Sequence, residues 1–567
     1  MPDPGATSNS LASLLTNAAA EHPQRAYLVG SLGELTYDEV ARRACMIGNW
    51  LLTLPGLDAR LAVGICSRAP DATALAIWGC VRAGITVAFL PKSADISLMR
   101  SRMSEAEVNY VLTDEAIHHG KPGFVDIGKV GASTQQTLQG EAAHGPPSER
   151  PPGGNEAASF LFQTSGTAGE PKWVCCEYTK CRAAVDAMWS VGALDHAREQ
   201  NVFLTPPLFH SYGLSALFEY TRAGATVMFP RGTSPFGPAG ELRVDNSSLP
   251  VTAIEGVPYF YSQFARLVRR LKSLRLQHLG IGGGAIDPRV MQEILAVYPE
   301  VTVSVRYGLT ETPSVVTHKV FLPPHSGEWR VSGRLIPAYD LAIETDDRRP
   351  ATANDEGEIV VRGPCVCAYR GQQLSELRTG DIGYLTAGRE LVVVGRRSAF
   401  IKYRGFRLSP EQIESVIASC AGVEESRVCV IEGRLVAQVV HPNWLTAAEL
   451  LAHVAARLPV HAVPEEFVRV AAIPRTLTGK IRRHRIDDEG FLMLLRPHLR
   501  LLVAPKSLTM RSNLYHLGLD STAALNLLLD LEERLGVAFP ESLLTDATFE
   551  TPAALKAALD SLTNETW

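Results

Sequence analysis

Apolar residues in this chain switch repeatedly between helical and strand-like spacing, and that switching limits the folds open to it. After Tyr37, Val40, Ala44, Ile47 and Leu51 recur at helical spacing. A strand-like run follows from Leu61 to Cys66, then a second helical stretch from Asp71 to Arg82 and another strand from Ile85 to Leu90. Strands separated by helices cannot be joined as tight hairpins. They pair in parallel and bury their faces under helical layers, which predicts an α/β architecture with parallel sheets. At 567 residues the chain exceeds what one hydrophobic core organises, so two or more domains are expected. The Pro- and Gly-rich stretch from Gly140 to Gly154 has no periodicity and is expected to be a surface loop.

Composition narrows the partners. The formal net charge is only −5, with 20% charged residues, so neither nucleic acid nor a membrane is expected as a partner. The start, Met1-Pro2-Asp3-Pro4, lacks the basic and apolar regions of a signal peptide. The most apolar stretch, Phe491 to Val503, is interrupted by Arg496 and Arg500 and is too short to span a bilayer. Ten cysteines include the adjacent Cys175-Cys176 and the pair Cys365 and Cys367, but no pair of CxxC knuckles. Reduced cysteines in a cytoplasmic enzyme are the expectation.

After the loop, Phe160-Leu161-Phe162-Gln163 leads into Thr164-Ser165-Gly166-Thr167-Ala168-Gly169-Glu170-Pro171-Lys172. Small, hydroxylated and glycine residues let backbone N–H groups and hydroxyls close around phosphate oxygens, and the lysine adds charge. It is not a Walker A loop, because the GK[ST] ending is missing. Alone, the stretch reads equally as an exposed Ser/Gly turn. Further segments follow in order: Gly282-Gly283-Gly284-Ala285, Arg306-Tyr307-Gly308-Leu309-Thr310-Glu311, Gly357 to Gly363, Thr379-Gly380-Asp381, Gly395-Arg396-Arg397-Ser398, Lys402-Tyr403-Arg404-Gly405 and Pro474-Arg475-Thr476-Leu477-Thr478-Gly479-Lys480. Taken together, the set resembles the adenylate-forming superfamily of acyl-CoA ligases, luciferases and peptide-synthetase adenylation domains.

That resemblance implies ATP and Mg²⁺ as cofactors and assigns roles. Thr164, Ser165, Gly166, Thr167, Gly169 and Lys172 would cradle phosphates, and Gly283, Gly284 and Ala285 would leave room beside adenine. Tyr307 would stack on adenine with Gly308 beside it, and Thr310 would meet the α-phosphate. Glu311 would hold magnesium, Asp381 would bind the ribose hydroxyls, and Arg396 would lie beside the nucleotide. Lys480 would be the catalytic lysine, and Ser398 would stand at a hinge where the family usually has Asp or Lys. The corresponding division is an adenylation core at 1–397, a mobile α+β subdomain at 398–488 and an all-α helical-bundle carrier at 489–567.

The carrier expectation rests on Leu514-Tyr515-His516-Leu517-Gly518-Leu519-Asp520-Ser521, which resembles a phosphopantetheine attachment site. Ser521 would take a 4′-phosphopantetheine arm from a phosphopantetheinyl transferase. A Ser N-cap without modification is the bland alternative. From Glu489 onward, ten acidic and six basic residues give −4, most of the net charge of the chain. Such a domain suits recognition through an acidic helix.

Peptide-synthetase domains for α-amino acids resemble this chain around Leu208-Phe209-His210-Ser211-Tyr212-Gly213, but carry Asp as the ammonium anchor. His210 stands there instead, and an imidazole cannot replace an anion. By the same resemblance His210 has a catalytic or wall role, and the small-acid pocket includes Ser211, Leu214, Glu255, Gly280, Gly282, Arg306, Ser314 and Val315. Glu255 and Arg306 either pair with each other or await a polar group of the substrate, so a short polar acid without an α-ammonium requirement is expected. The function expected is activation of that acid and its loading onto the chain's own carrier, priming an assembly line of downstream enzymes for a secondary metabolite. A ligase using free coenzyme A and a non-catalytic scaffold are the alternatives.

Overall fold

The computed structural model describes residues 10–54, 62–67, 69–90, 100, 103–114, 123–127, 158–164, 172–231, 235–237, 241–244, 247–313, 315–325, 329–372, 374–397, 401–403, 406–431, 434–441, 445–470 and 473, and in the C-terminal part 491–492, 495–499, 508–519, 523–524, 527–528, 531 and 545–565. The expected loop at 140–154 lies outside them. The chain forms two compact units, Met1–Val393 and Val394–Trp567.

The first unit holds two large sheets. In the thirteen-stranded sheet six neighbours run parallel: Ala26–Gly30, Thr226–Met228, Asn201–Leu204, Ala253–Gly256, His278–Ile281 and Thr302–Tyr307. The seven-stranded sheet is parallel from Ser159–Thr164 through Thr86–Phe89, Ala62–Cys66 and Val108–Thr113 to Phe124–Asp126. Both sheets are mixed rather than purely parallel, which corrects the expectation. Strand Thr317–Phe321 follows Thr302–Tyr307 without a helix and so must return antiparallel, as Lys172–Glu177 does after Ser159–Thr164.

The predicted helices are present at Tyr37–Leu51 and Pro70–Ala83. Thr36 and Glu39 cap the first reciprocally, and its Val40, Ala44, Ile47 and Leu51 are all buried. Two glycines let the helices touch: a Cβ at Gly79 would lie 2.4 Å from Ile47 Cγ2, and one at Gly48 would lie 2.9 Å from the Gly79 carbonyl oxygen. All ten cysteines are free thiols.

The second unit is α+β where it follows the first. Strands Glu425–Ile431 and Arg434–Val440 pair antiparallel, Glu466–Arg469 joins parallel, and helices Pro410–Ala418 and Ala447–Ala455 share an apolar core with them. Farther on, a separate apolar cluster includes Leu514, Leu519, Leu531, Phe549 and Leu555, the last on helix Pro552–Glu565. Among the described residues no helix is long and apolar enough to cross a membrane.

The helix contact gives a test with a diagnostic sign. In an open helix Gly→Ala stabilises by about 1 kcal/mol. Gly79→Ala should instead destabilise by about 1–3 kcal/mol through overpacking against Ile47, read as a lower denaturation midpoint.

Candidate active site

The phosphate-side residues meet where the two sheets of the first unit approach. Strands Ser159–Thr164 and Lys172–Glu177 pair so that Thr164 lies opposite Lys172. Ser165, Gly166, Thr167 and Gly169, between them, lie outside the described residues. The Lys172 ammonium stands 5.0 Å from the ring centroid of Tyr369, and the Tyr369 hydroxyl donates to Glu311 Oε1 at 3.0 Å. The Cys367 N–H donates to the Glu311 carbonyl at 2.8 Å, and the Cys176 thiol donates to the Thr310 carbonyl at 3.3 Å. Ser211 Oγ donates to Thr310 Oγ1 at 3.3 Å. Lys172, Thr310, Glu311 and Ser211 are thus brought together, and Tyr369 joins the lysine to the glutamate.

Tyr307 and Asp381 meet too, the phenol donating to Asp381 Oδ2 at 2.8 Å. The Asp381 N–H is held in turn by Thr379 Oγ1 at 3.0 Å. Gly283 has φ +80°, a conformation that favours glycine. At Gly284 a Cβ would find its nearest protein atom, Pro258 Cγ, at an ordinary 3.6 Å, so protein packing does not demand glycine there. Gly308 and Ala285 are exposed. Arg396 ends strand Leu391–Arg396 and is exposed in the second unit. Ser314, Ser398, Lys480 and Ser521 lie outside the described residues.

On the acid side, His210 is the N-cap of helix Ser211–Arg222, half-buried, with extended backbone. Gly213 is required by close approach, since a Cβ would lie 2.3 Å from the Pro207 carbonyl oxygen. Leu214 and Val315 are buried in the main apolar core. Glu255 and Arg306 pair, the first of the two outcomes weighed from sequence, but with a third member. Arg306 donates from Nη1 to Glu219 at 2.6 Å and from Nη2 to Glu255 Oε1 at 2.9 Å. The Tyr220 hydroxyl donates to Glu255 Oε1 at 2.7 Å and the Tyr212 hydroxyl to Oε2 at 2.5 Å. Burial disfavours the Arg306 charge, yet Glu255 and Glu219 outweigh it and hold its pKa well above the usual value. Burial and the neighbouring Glu255 raise both phenols, which stay protonated as donors.

Behind this set lie three histidines. The rings of His196 and His278 stack at 3.8 Å, and His318 lies 5.8 Å from His196. His278 bonds Thr302 Oγ1 at 2.8 Å and Ser304 Oγ at 2.9 Å. Burial, with Arg306 adding to it, lowers His196 to about 3 and His318 well below the ordinary value; burial, His196 and then Arg306 lower His278 likewise.

Glu219 and Tyr369 were missed in sequence. Glu219 had a signal: a single acidic residue in the otherwise uncharged, largely apolar run Ala216-Leu217-Phe218-Glu219-Tyr220. Tyr369 had none, since it acts from the two-residue strand Ala368–Tyr369, which lines up on Lys172–Glu177 only in the fold.

Lys172, Glu311 and the Tyr307–Asp381 pair, expected from the sequence to meet a nucleotide, are thus set on one two-sheet frame. Residues 15–368 match the model of the AMP-binding enzymes, and the chain belongs to that family of adenylate-forming ligases. Residues 412–480 match the AMP-binding enzyme C-terminal domain, and 499–559 match the phosphopantetheine attachment site. Similar proteins include the 2-succinylbenzoate–CoA ligase of Bacillus licheniformis, 27% identical over 73% of this chain and 86% of the relative. A component of the plipastatin synthase of Bacillus subtilis is 24% identical over 84% of this chain and 14% of that protein. In fold, the chain resembles the O-succinylbenzoate coenzyme A synthetase of Bacillus subtilis in complex with AMP (TM-score 0.66, 24% identity, 84% of this chain and 98% of that one). It also resembles an anthranilate CoA ligase in complex with anthranoyl-AMP (TM-score 0.70, 18% identity, 84% and 96%).

The histidine cluster predicts how stability responds to acid. A folded pKa below the unfolded value of about 6.5 means that only the unfolded chain takes up protons as pH falls through that value. The stability is therefore full above about pH 6.5 and is lost toward the folded pKa, by at most about 1.4 kcal/mol per pH unit per histidine. His278→Gln keeps an amide donor and acceptor for Thr302 and Ser304 but cannot titrate. Its denaturation midpoint should fall less steeply than the parent's between pH 6.5 and 5; parallel slopes would contradict the reading.

Proposed function

We propose that the protein activates a short polar carboxylic acid as its acyl-adenylate and transfers it to a phosphopantetheine arm on its own Ser521, without requiring an α-ammonium group on the acid. The observation that carries this is the convergence of Lys172, Tyr369, Glu311 and Thr310, with Tyr307 bonded to Asp381, in a chain that also matches an attachment-site domain.

In the adenylation step the substrate carboxylate attacks the α-phosphorus of ATP and the bond to pyrophosphate breaks. Catalysis of such a displacement is mostly positioning and charge neutralisation. Tyr307 and Asp381 orient each other, so the ring meets adenine while the carboxylate accepts from the ribose hydroxyls. Lys172 takes the leaving pyrophosphate, and Thr310, bonded to Ser211, meets the α-phosphate. Glu311 fits a magnesium ion, because the Tyr369 hydroxyl fixes one carboxylate oxygen and thereby orients the group. The relative of Bacillus subtilis has been solved with ATP and magnesium. Bound there, the ion would offset phosphate charge. Lys480 bridges carboxylate and phosphate, and His210 walls the acid.

Ser521 takes the arm on the strength of the attachment-site match, and the described residues on either side of it, Leu519 and Ala523, belong to one apolar cluster. The subdomain swings near Ser398 to exchange Lys480 for the arm, the helical carrier presents it, and a phosphopantetheinyl transferase installs it. The free thiols suit a reducing, cytoplasmic setting. Downstream enzymes then take the acyl group. The deciding experiment is intact mass of pantetheinylated protein given ATP and a pool of acids, where the mass added names the acyl group. Mass gained by free coenzyme A in preference to the protein would select a CoA ligase, as the succinylbenzoate relatives are named.

Two variants separate the half-reactions. Ser521→Ala should abolish covalent loading and leave ATP–pyrophosphate exchange near the parent's rate; an acylated Ser521→Ala protein would refute the carrier role. Lys480→Ala should lower adenylation by roughly 10²–10³, the scale of one preorganised charge donor, while transfer from supplied acyl-adenylate survives. Equal loss of both steps would show that the lysine is not dedicated to adenylation.

A further inference from the structure

Two glycines beside the candidate acid site make room for protein, not for substrate. A Cβ at Gly280 would lie 2.1 Å from Glu255 Oε1, so the carboxylate already fills the volume over it. At Gly282 a Cβ would lie 2.8 Å from Tyr212 Cζ and 3.1 Å from Arg306 Cγ. The filling groups hold one another: Glu219 and Glu255 each take a nitrogen of Arg306, while Tyr220 and Tyr212 each take an oxygen of Glu255. The side chains of Glu219, Glu255 and Arg306 are 1%, 0% and 3% exposed. Tyr212 alone of the five is half-buried, and its neighbour Ser211 bonds Thr310.

We propose that these five residues form a plug that ends the acid pocket at the Tyr212 ring, and that Glu219 sets the length of acid accepted by holding Arg306. This rests on the acid-activating function proposed above. Glu219 acts through Arg306 and is a positioning residue. Because these groups are already bonded to one another, the far end of the acid meets a phenol whose hydrogen is donated to Glu255. The plug therefore selects a compact acid without a second carboxylate. A long chain would have to displace a buried ion triad. A second carboxylate would meet two carboxylates held by a single guanidinium.

The test is ATP–pyrophosphate exchange over straight-chain acids of about two to ten carbons, each with and without a terminal carboxylate, alongside benzoate and 4-phenylbenzoate. For the parent, kcat/KM should fall at least ~10-fold from the best compact acid to the longest and to the diacids, the scale of a misfit of one or more methylenes. Tyr212→Ala, which shortens the wall and removes one hydrogen bond to Glu255 but no charged side chain, should shrink that ratio ~10-fold, chiefly by lowering KM for the long acids. Glu219→Ala/Glu255→Ala/Arg306→Ala removes all charges together, so none is stranded, and should do the same. Glu219→Gln keeps an acceptor for Arg306 and should keep the parent's length ranking. The plug is refuted if the parent turns over long acids as well as short ones. It is equally refuted if folded Tyr212→Ala keeps the parent's length ranking, whatever the stability of the triple variant. Exchange with no acid at all would overturn the acid-activating function and the plug with it. Exchange without length dependence would overturn the plug alone.

Discussion

A guanidinium buried to the degree of Arg306 costs several kcal/mol unless it is paired, and that constraint organises the first unit. Its two carboxylates come from different elements: Glu219 from helix Ser211–Arg222 and Glu255 from strand Ala253–Gly256. Between the Glu255 and Arg306 strands runs His278–Ile281, whose Gly280 cannot carry a side chain without meeting the Glu255 carboxylate. The ion triad thus fixes one helix against three adjacent strands. Removing Arg306 would strand two buried carboxylates, at a cost of about 3–5 kcal/mol or more, whereas losing either glutamate leaves one ion pair.

The candidate site hangs from those elements at their ends. Tyr307 follows Arg306 at the end of its strand and reaches Asp381; Ser211 opens the helix that carries Glu219 and reaches Thr310. Tyr369 then couples this side to the second sheet, through Glu311 on one hand and the strand that begins at Lys172 on the other. Among the described residues, the side chains proposed to act on one nucleotide are therefore tied to two sheets and a helix by a few polar contacts. Rigid supports of this kind keep a site in productive geometry.

Much of this was legible in the sequence wherever the signal was local. Helix Tyr37–Leu51 announced itself through Thr36, Glu39 and four apolar residues at helical spacing, and the order of short motifs pointed to the family. The polarity of the sheets was less legible, because strand Thr317–Phe321 is antiparallel only for want of a helix before it. Tyr369 was invisible, since its role depends on which strand it lies beside. Glu255 and Arg306 were recognised as charges in need of partners. Arg306 also bonds Glu219, dozens of residues away in the chain, and pairing at that separation follows from the fold and from no pattern in the sequence.

The same triad bears on what the enzyme recognises. An α-ammonium needs an anion to meet it, and His210 supplies none. Glu219 and Glu255 each bond Arg306, and Glu255 also accepts two phenol hydrogens. Recruiting either as a substrate anchor would mean breaking a buried charge-assisted bond for every acid bound, and the new bond would have to exceed the old one to yield net affinity. A neutral far end makes no such demand. In the proposed reading the charges beside the pocket build its wall, and selectivity falls to shape: the length available before the Tyr212 ring.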